Sequence, residues 1–170
     1  MSSNLKFLIF LPWLALAGCG FAPLYGGQQG ADASAGLETV AVQNLPERNG
    51  QILRQTLQQQ FYTNGQPATE LYTLAVNYNI AQIGEGVQPD SSTSRIRFDA
   101  SAAWRLSPIG HPEKTLVSGN ATAMDALNIL DQQYFAVNLE TDTVDQQLAD
   151  QIAAQITTQL AAWFRVHPAT

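Results

Sequence analysis

The sequence predicts a two-layer α+β domain of order β-α-β-β-β-α: four strands in one sheet, with two helices on one of its faces. Three observations carry this. Residues 71–83 and 95–106 each alternate apolar and small or polar side chains with a period of two, separated by a turn-rich stretch. The chain closes on a long stripe at helical spacing, Val144, Leu148, Ile152, Ile156 and Leu160, joined by Ala149, Ala153 and Trp163. A shorter stripe of the same period lies ahead of the alternating pair, between helix-start and helix-stop signals.

In order, Leu37 to Gln43 is a short strand with Val40 and Val42 on one side. Asn44-Leu45-Pro46-Glu47 then offers a capping side chain, an early proline and an acidic first turn. The helix that follows carries Ile52, Leu53, Thr56, Leu57, Gln60 and Phe61 on one face and glutamines on the other, and stops near Asn64-Gly65. In the second strand Tyr72, Leu74, Val76, Tyr78 and Ile80 point one way, while Thr73, Ala75, Asn77, Asn79 and Ala81 point the other. Gly84 to Asp90 reads as the connection of an antiparallel hairpin. In the third strand Ile96, Phe98, Ala100, Ala102, Trp104 and Leu106 face the core, and Arg95, Arg97, Asp99, Ser101, Ala103 and Arg105 face away. After a proline-bounded turn, Thr115 to about Ala126 forms the fourth strand. An irregular stretch with Tyr134 and Phe135 leads to the last helix. Its acidic start (Glu140, Asp142, Asp145, Asp150) and basic end (Arg165) suit the helix dipole.

Both helices are expected over the Tyr72/Ile96 face, which leaves the opposite face uncovered by the chain itself. A solvated open face normally carries many Lys and Glu. This one is small and polar, with charge almost confined to the third strand. Such a surface can lie flat against another protein wall without burying unpaired charge.

The N-terminal segment has a different character. Lys6 is followed by an apolar run from Phe7 to Ala17, interrupted only by Pro12. About 11 residues rise roughly 16 Å, about half a hydrocarbon core, so the run is too short to span as a helix. A basic start, a short apolar core and small residues at its end are the parts of a secretory signal peptide. Leu16-Ala17-Gly18-Cys19 closes it, with the one cysteine of the chain. This pattern resembles the lipobox of bacterial lipoproteins, which implies acylation of the Cys19 sulfur and cleavage just before it. Gly20 stands where an aspartate would resemble an inner-membrane retention signal, which favours the outer membrane. The expected division is a removed signal peptide over 1–18, a lipidated flexible tether over the glycine-containing 19–36, and a single α+β domain over 37–166.

Composition excludes several classes. Charged residues make up 13% of the chain, about half the usual share, so much of the surface is neutral. The net charge of −6 makes nucleic acid a poor partner, and any anionic ligand has to be met by local arginines. A lone cysteine allows no intramolecular disulfide and no Cys-rich metal site. No Ser-His-Asp set has a persuasive context, and the paired acids Asp142 and Asp145 sit where a helix start favours negative charge. The expectation is therefore a protein that is not an enzyme and needs no cofactor.

Arg95 and Arg97 are the leading ligand-binding candidates. They lie about 7 Å apart on one strand face, and guanidinium suits phosphate. Arg97 could instead pair with Asp99 along the strand. Arg105 and Lys114 are further candidates near the opposite sheet end, and His111 and His167 read as exposed loop residues.

Several pieces together resemble the alphaproteobacterial LptE lipoproteins. They are Leu16 to Gly26 (LAGCGFAPLYG), the helix opening Arg48-Asn49-Gly50-Gln51-Ile52-Leu53-Arg54, the strand Leu71 to Val76, the strand end Ala103-Trp104-Arg105-Leu106, and Tyr134-Phe135-Ala136 before the last helix. The resemblance implies two helices on a four-stranded mixed sheet. It also implies a lipoprotein that plugs and supports the β-barrel of an LptD-like partner in the outer membrane, facing the periplasm, and binds lipopolysaccharide. Arg95 and Arg97 take the ligand role by location alone. An auxiliary lipoprotein of another envelope transport or barrel-assembly complex would share the same features.

Overall fold

A computed structural model of the chain describes residues 28–63, 65, 69–87, 93–128 and 134–168. The signal peptide, Cys19 and residues 20–27 lie outside the described residues. The elements are α1 (Gln28–Glu38), β1 (Val40–Val42), α2 (Glu47–Phe61), β2 (Tyr72–Val87), β3 (Thr93–Pro108), β4 (Val117–Asn128) and α3 (Tyr134–Phe164). The sheet order is β1-β2-β3-β4. β1 runs parallel to β2, reached through the α2 crossover, and the other pairings are antiparallel. This is the expected α+β fold with a mixed sheet, plus one helix that the periodicity does not announce.

Cross-strand register explains the two faces. Leu74 pairs with Leu106, Val76 with Trp104 and Ile80 with Ala100, and Ala102 pairs with Ala121 on the far strand. All of these point to the helix layer, because side chains alternate along each strand. There they meet Leu53, Leu57 and Phe61 of α2 and Leu148, Ile152, Ile156 and Leu160 of α3, none more than 1% exposed. α3 packs on β3, β4 and both other helices, so it is the hub of that layer.

The expected tether over 19–36 needs correction. Residues 28–36 belong to α1, and the folded domain begins at least nine residues before position 37. Gly30, Ala33, Gly36 and Leu37 are buried at three- to four-residue spacing. The reason is close approach. A Cβ on Gly36 would sit 2.5 Å from the Phe164 ring, so the absent side chain is what lets α1 lie on the end of α3. Glycine and alanine here form a contact face, whereas in the sequence they read as flexibility.

Three boundaries also differ. Tyr134 and Phe135 are already helical, so α3 has 31 residues. β2 continues through Gly84 and Glu85 to Val87, because β3 pairs with it that far. Asn44 does not cap α2. Pro46 is the N-cap residue, and no side chain closes the first turn. Buried Leu45 lies against Gly50, where a Cβ would come within 2.8 Å, and this contact sets how the chain enters the helix.

Side chains of the helix layer guard the two outer strands. Gln155 donates to the Thr122 carbonyl (2.8 Å) and accepts from its N–H (3.2 Å), as a neighbouring peptide would. Gln159 donates to the Asn120 carbonyl (3.1 Å) and accepts from the Trp104 indole N–H (3.2 Å). On the opposite edge, Tyr62 and Arg54 donate to the carbonyls of Val40 and Val42. Satisfied edge groups are poor templates for an added strand. β1 reaches only Leu74 of β2, so beyond Leu74 β2 has β3 on one side and, among the described residues, no strand on the other.

Candidate functional site

The face of the sheet turned away from the helices is the candidate site. Register places Ala75 beside Arg105, Asn77 beside Ala103, Asn79 beside Ser101 and Ala81 beside Asp99. On β4 the same face carries Ser118, Asn120, Thr122, Met124 and Ala126. Its middle therefore has alanines, hydroxyls and amides, and Met124 stands 63% exposed among them. Shallow depressions run along it, one of about 430 Å³ bordered by Asn79, Ser101, Thr122 and Met124.

Charge on this face gathers at its two ends. At the hairpin end, Arg97 Nη1 donates to Glu85 Oε1 at 2.6 Å, and its Nε lies 3.1 Å from Asp99 Oδ1. The second contact is an ion pair without hydrogen-bond alignment. Arg95 is the cross-strand partner of Glu85 and holds a longer 3.9 Å contact to Oε2. Two arginines and two carboxylates thus neutralise one another, and the Arg97–Asp99 pairing foreseen as the alternative is present. An anion approaching Arg97 has to compete with both carboxylates, whereas Arg95 is half exposed and more loosely held. Glu85 carries no signal as a site residue in the sequence, because it lies between two glycines and reads as turn.

Arg105 stands at the other end of the face. It is ten residues from Arg95, roughly 33 Å along β3 at strand spacing. Among the described residues no carboxylate or hydrogen-bond partner engages it. Lys114 is exposed in the β3–β4 turn, close to a His111–Glu113 pair at 3.2 Å. His167 stacks on Trp163, with ring centroids 4.6 Å apart, past the end of α3. Both histidines are exposed loop residues. Among the described residues, no group of three or more His, Cys, Asp or Glu could hold a metal ion.

Polar chemistry on the covered face concentrates at Tyr78 and Asp145. Burial pushes the Tyr78 hydroxyl up to about 12, and the nearby Asp145 carboxylate adds to this. Burial also raises the Asp145 carboxyl, helped by Asp142 and opposed by Arg48, which is itself paired with Asp142 at 3.1 Å. Asp145 is 9% exposed, and its Oδ1 and the Tyr78 hydroxyl lack hydrogen-bond partners among the described residues. A carboxyl whose folded pKa is raised holds its proton more tightly folded than unfolded. Its contribution to stability is then full below the unfolded pKa of about 4 and declines as pH rises through the folded value. Asp145→Asn is therefore expected to remove that decline. Denaturation midpoints of the two proteins should converge near pH 4 and separate toward neutrality, with the variant more stable. Parallel pH profiles would contradict the burial of this charge.

No family model matches the chain, and no curated protein matches it. Solved structures do share its fold. A protein described as a candidate lipoprotein from Caulobacter crescentus CB15 superposes with a TM-score of 0.62 at 21% identity, covering 79% of this chain and 96% of the other. A minor lipoprotein from Acinetobacter baumannii gives 0.59 at 17% identity, covering 74% and 92%. Rare lipoprotein B from Shewanella oneidensis gives 0.55 at 10% identity, covering 74% and 93%. At these identities the likeness is one of fold, and it extends over nearly the whole length of each neighbour.

Proposed function

We propose that the chain is a lipoprotein of the outer membrane, anchored through Cys19 and facing the periplasm, whose open sheet face seats against the inner wall of a β-barrel partner. In this reading it acts as plug and support for an LptD-like barrel and binds lipopolysaccharide as that glycolipid passes. It catalyses no reaction.

The observation that carries the proposal is the uncharged middle of the open face. Between Asp99 and Arg105 on β3, and across Asn77 to Ile83 on β2, the outward side chains are alanine, serine, asparagine and isoleucine. Burying that strip against another wall strands no charge, whereas a face laced with Lys and Glu would pay several kcal/mol for each unpaired ion. The LptE-like N-terminal sequence, and the fold shared with proteins named as lipoproteins, support the same reading.

Cys19→Ser tests the anchor. The variant is expected to accumulate as unprocessed precursor and to take up no labelled fatty acid. Fatty acid incorporated by the variant would remove the anchor assignment. Stable acyl anchoring needs more than one chain, at about 0.8 kcal/mol per buried methylene, so loss of the acylation site removes that anchor altogether.

A further inference from the structure

A recess opens on the outer sheet face at its base, where β1 ends and the β3–β4 turn folds over. Its floor is two cross-strand pairs, Thr73 with Ser107 and Ala75 with Arg105. Gln43 and the turn residues Pro108, Gly110 and Pro112 form its walls. The enclosed volume is about 220 Å³, and it continues into a shallower depression of about 500 Å³ that shares Gln43, Ala75 and Arg105.

Two features set this recess apart. The first is the state of its arginine. Of the six arginines, Arg48, Arg95 and Arg97 are held by carboxylates, Arg54 by the Val42 carbonyl, and Arg165 has an interaction of its own. Arg105 alone has no partner among the described residues, and it stands among neutral groups. The second is the lining. Thr73, Ser107 and Gln43, which carry hydroxyl and amide groups, line the recess together with Arg105, while Ala75 and Gly110 add little bulk. Ser107 is 4% exposed and donates to the Pro112 carbonyl at 3.5 Å, which leaves its lone pairs to accept from a ligand hydroxyl.

We propose that this recess binds a phosphate group carried on a sugar headgroup. The guanidinium fork meets two phosphate oxygens, and the hydroxyl and amide groups meet the sugar. The cavity is too small for a whole glycolipid and fits one phosphate with its adjoining ring. A chain of net charge −6 has no general field to draw an anion in, so affinity depends on this one cation. The site lies roughly 26–33 Å from the Arg95/Arg97 cluster, so a single phosphate cannot bridge the two. The lipid source of the phosphate rests on the function proposed above; the site itself does not.

The test titrates detergent-solubilised full-length protein with three probes: lipopolysaccharide, its dephosphorylated form, and inorganic phosphate. The proteins are the wild type, Arg105→Ala, Arg105→Lys and Arg95→Ala/Arg97→Ala, with melting curves to show that each folds. Arg105→Ala is expected to weaken lipopolysaccharide binding about tenfold or more, the size of a lost charge-assisted pair. Arg105→Lys should recover part of that loss. The dephosphorylated ligand should bind wild type and Arg105→Ala alike, and inorganic phosphate should still bind the Arg95→Ala/Arg97→Ala protein. Equal lipopolysaccharide binding by wild type and Arg105→Ala would overturn the site and leave the lipopolysaccharide reading standing. Arg105-dependent binding of inorganic phosphate without any lipopolysaccharide binding would support the site and count against that reading. Binding of neither probe by the wild type would overturn both.

Discussion

Phe164→Ala is expected to destabilise the domain by about 3–5 kcal/mol, the usual cost of emptying a buried aromatic site. Its side chain is fully buried. The ring meets Tyr72 of β2 edge-on with centroids 5.4 Å apart and Trp163 at 4.9 Å, and its other side fills the space left by Gly36 of α1. One residue thus joins the end of α3, the start of β2 and the N-terminal helix. Collapse around the missing ring would require three elements to move together, so the cavity should persist. For a domain of this size the melting temperature should fall by roughly 10 °C. Limited proteolysis should also begin in α1, because the Phe164 ring is what Gly36 of α1 packs against on α3. A melting point within a degree or two of wild type would contradict this packing.

The second large effect concerns docking. Ser101→Glu puts a carboxylate in the centre of the open face, where Asn79 and Thr122 are its cross-strand neighbours. Ser101 is exposed, so the isolated domain should change by no more than about 0.5 kcal/mol. Seated against a barrel wall, the same carboxylate would be buried without a partner. That costs about 3 kcal/mol or more, a hundredfold or greater loss of affinity. Co-purification of a large β-barrel protein should then disappear, while Ser101→Thr retains it. Retention of the barrel by the folded Glu variant would mean that another surface makes the contact.

How much of this was legible depended on the size of the side chains involved. The two long strands and their facing could be read because Leu74, Phe98, Trp104 and Leu106 alternate with small or polar residues, and a one-residue slip would turn every one of them to the wrong side. The stripe of α3 was equally plain from Val144 onward. α1 was not legible, because its buried face is Gly30, Ala33 and Gly36 with Leu37 as its one large apolar residue, too little for a hydrophobic period to detect. The first turns of α3 and the far end of β2 were missed for a related reason. Tyr134, Phe135 and Gly84 give no local signal of a continuing element, and Gly84 is held in its strand by pairing with Ile96 of β3.

On β2 and β3 the open face followed directly from alternation and could be listed residue by residue, whereas the facing of β4 came only from its pairing with β3. Its electrostatics could not. Whether an arginine is free depends on carboxylates across the sheet, and Glu85 was hidden in an apparent turn. Arg97, a leading candidate by spacing, is the most fully paired, while Arg105, placed lower, has no partner among the described residues. The glutamine bonds that guard β4 were likewise out of reach, since Gln155 and Thr122 are 33 residues apart.

The central claim is that the open sheet face, not the helix layer, meets a β-barrel. Photo-crosslinking in intact cells tests it most directly, with the reactive residue placed at Ser101 on the open face or at Ala162 on the exposed side of α3. The account predicts a large adduct containing a β-barrel outer-membrane protein from position 101 and none from position 162. An adduct from 162 alone, or no high-mass adduct from 101, would contradict it.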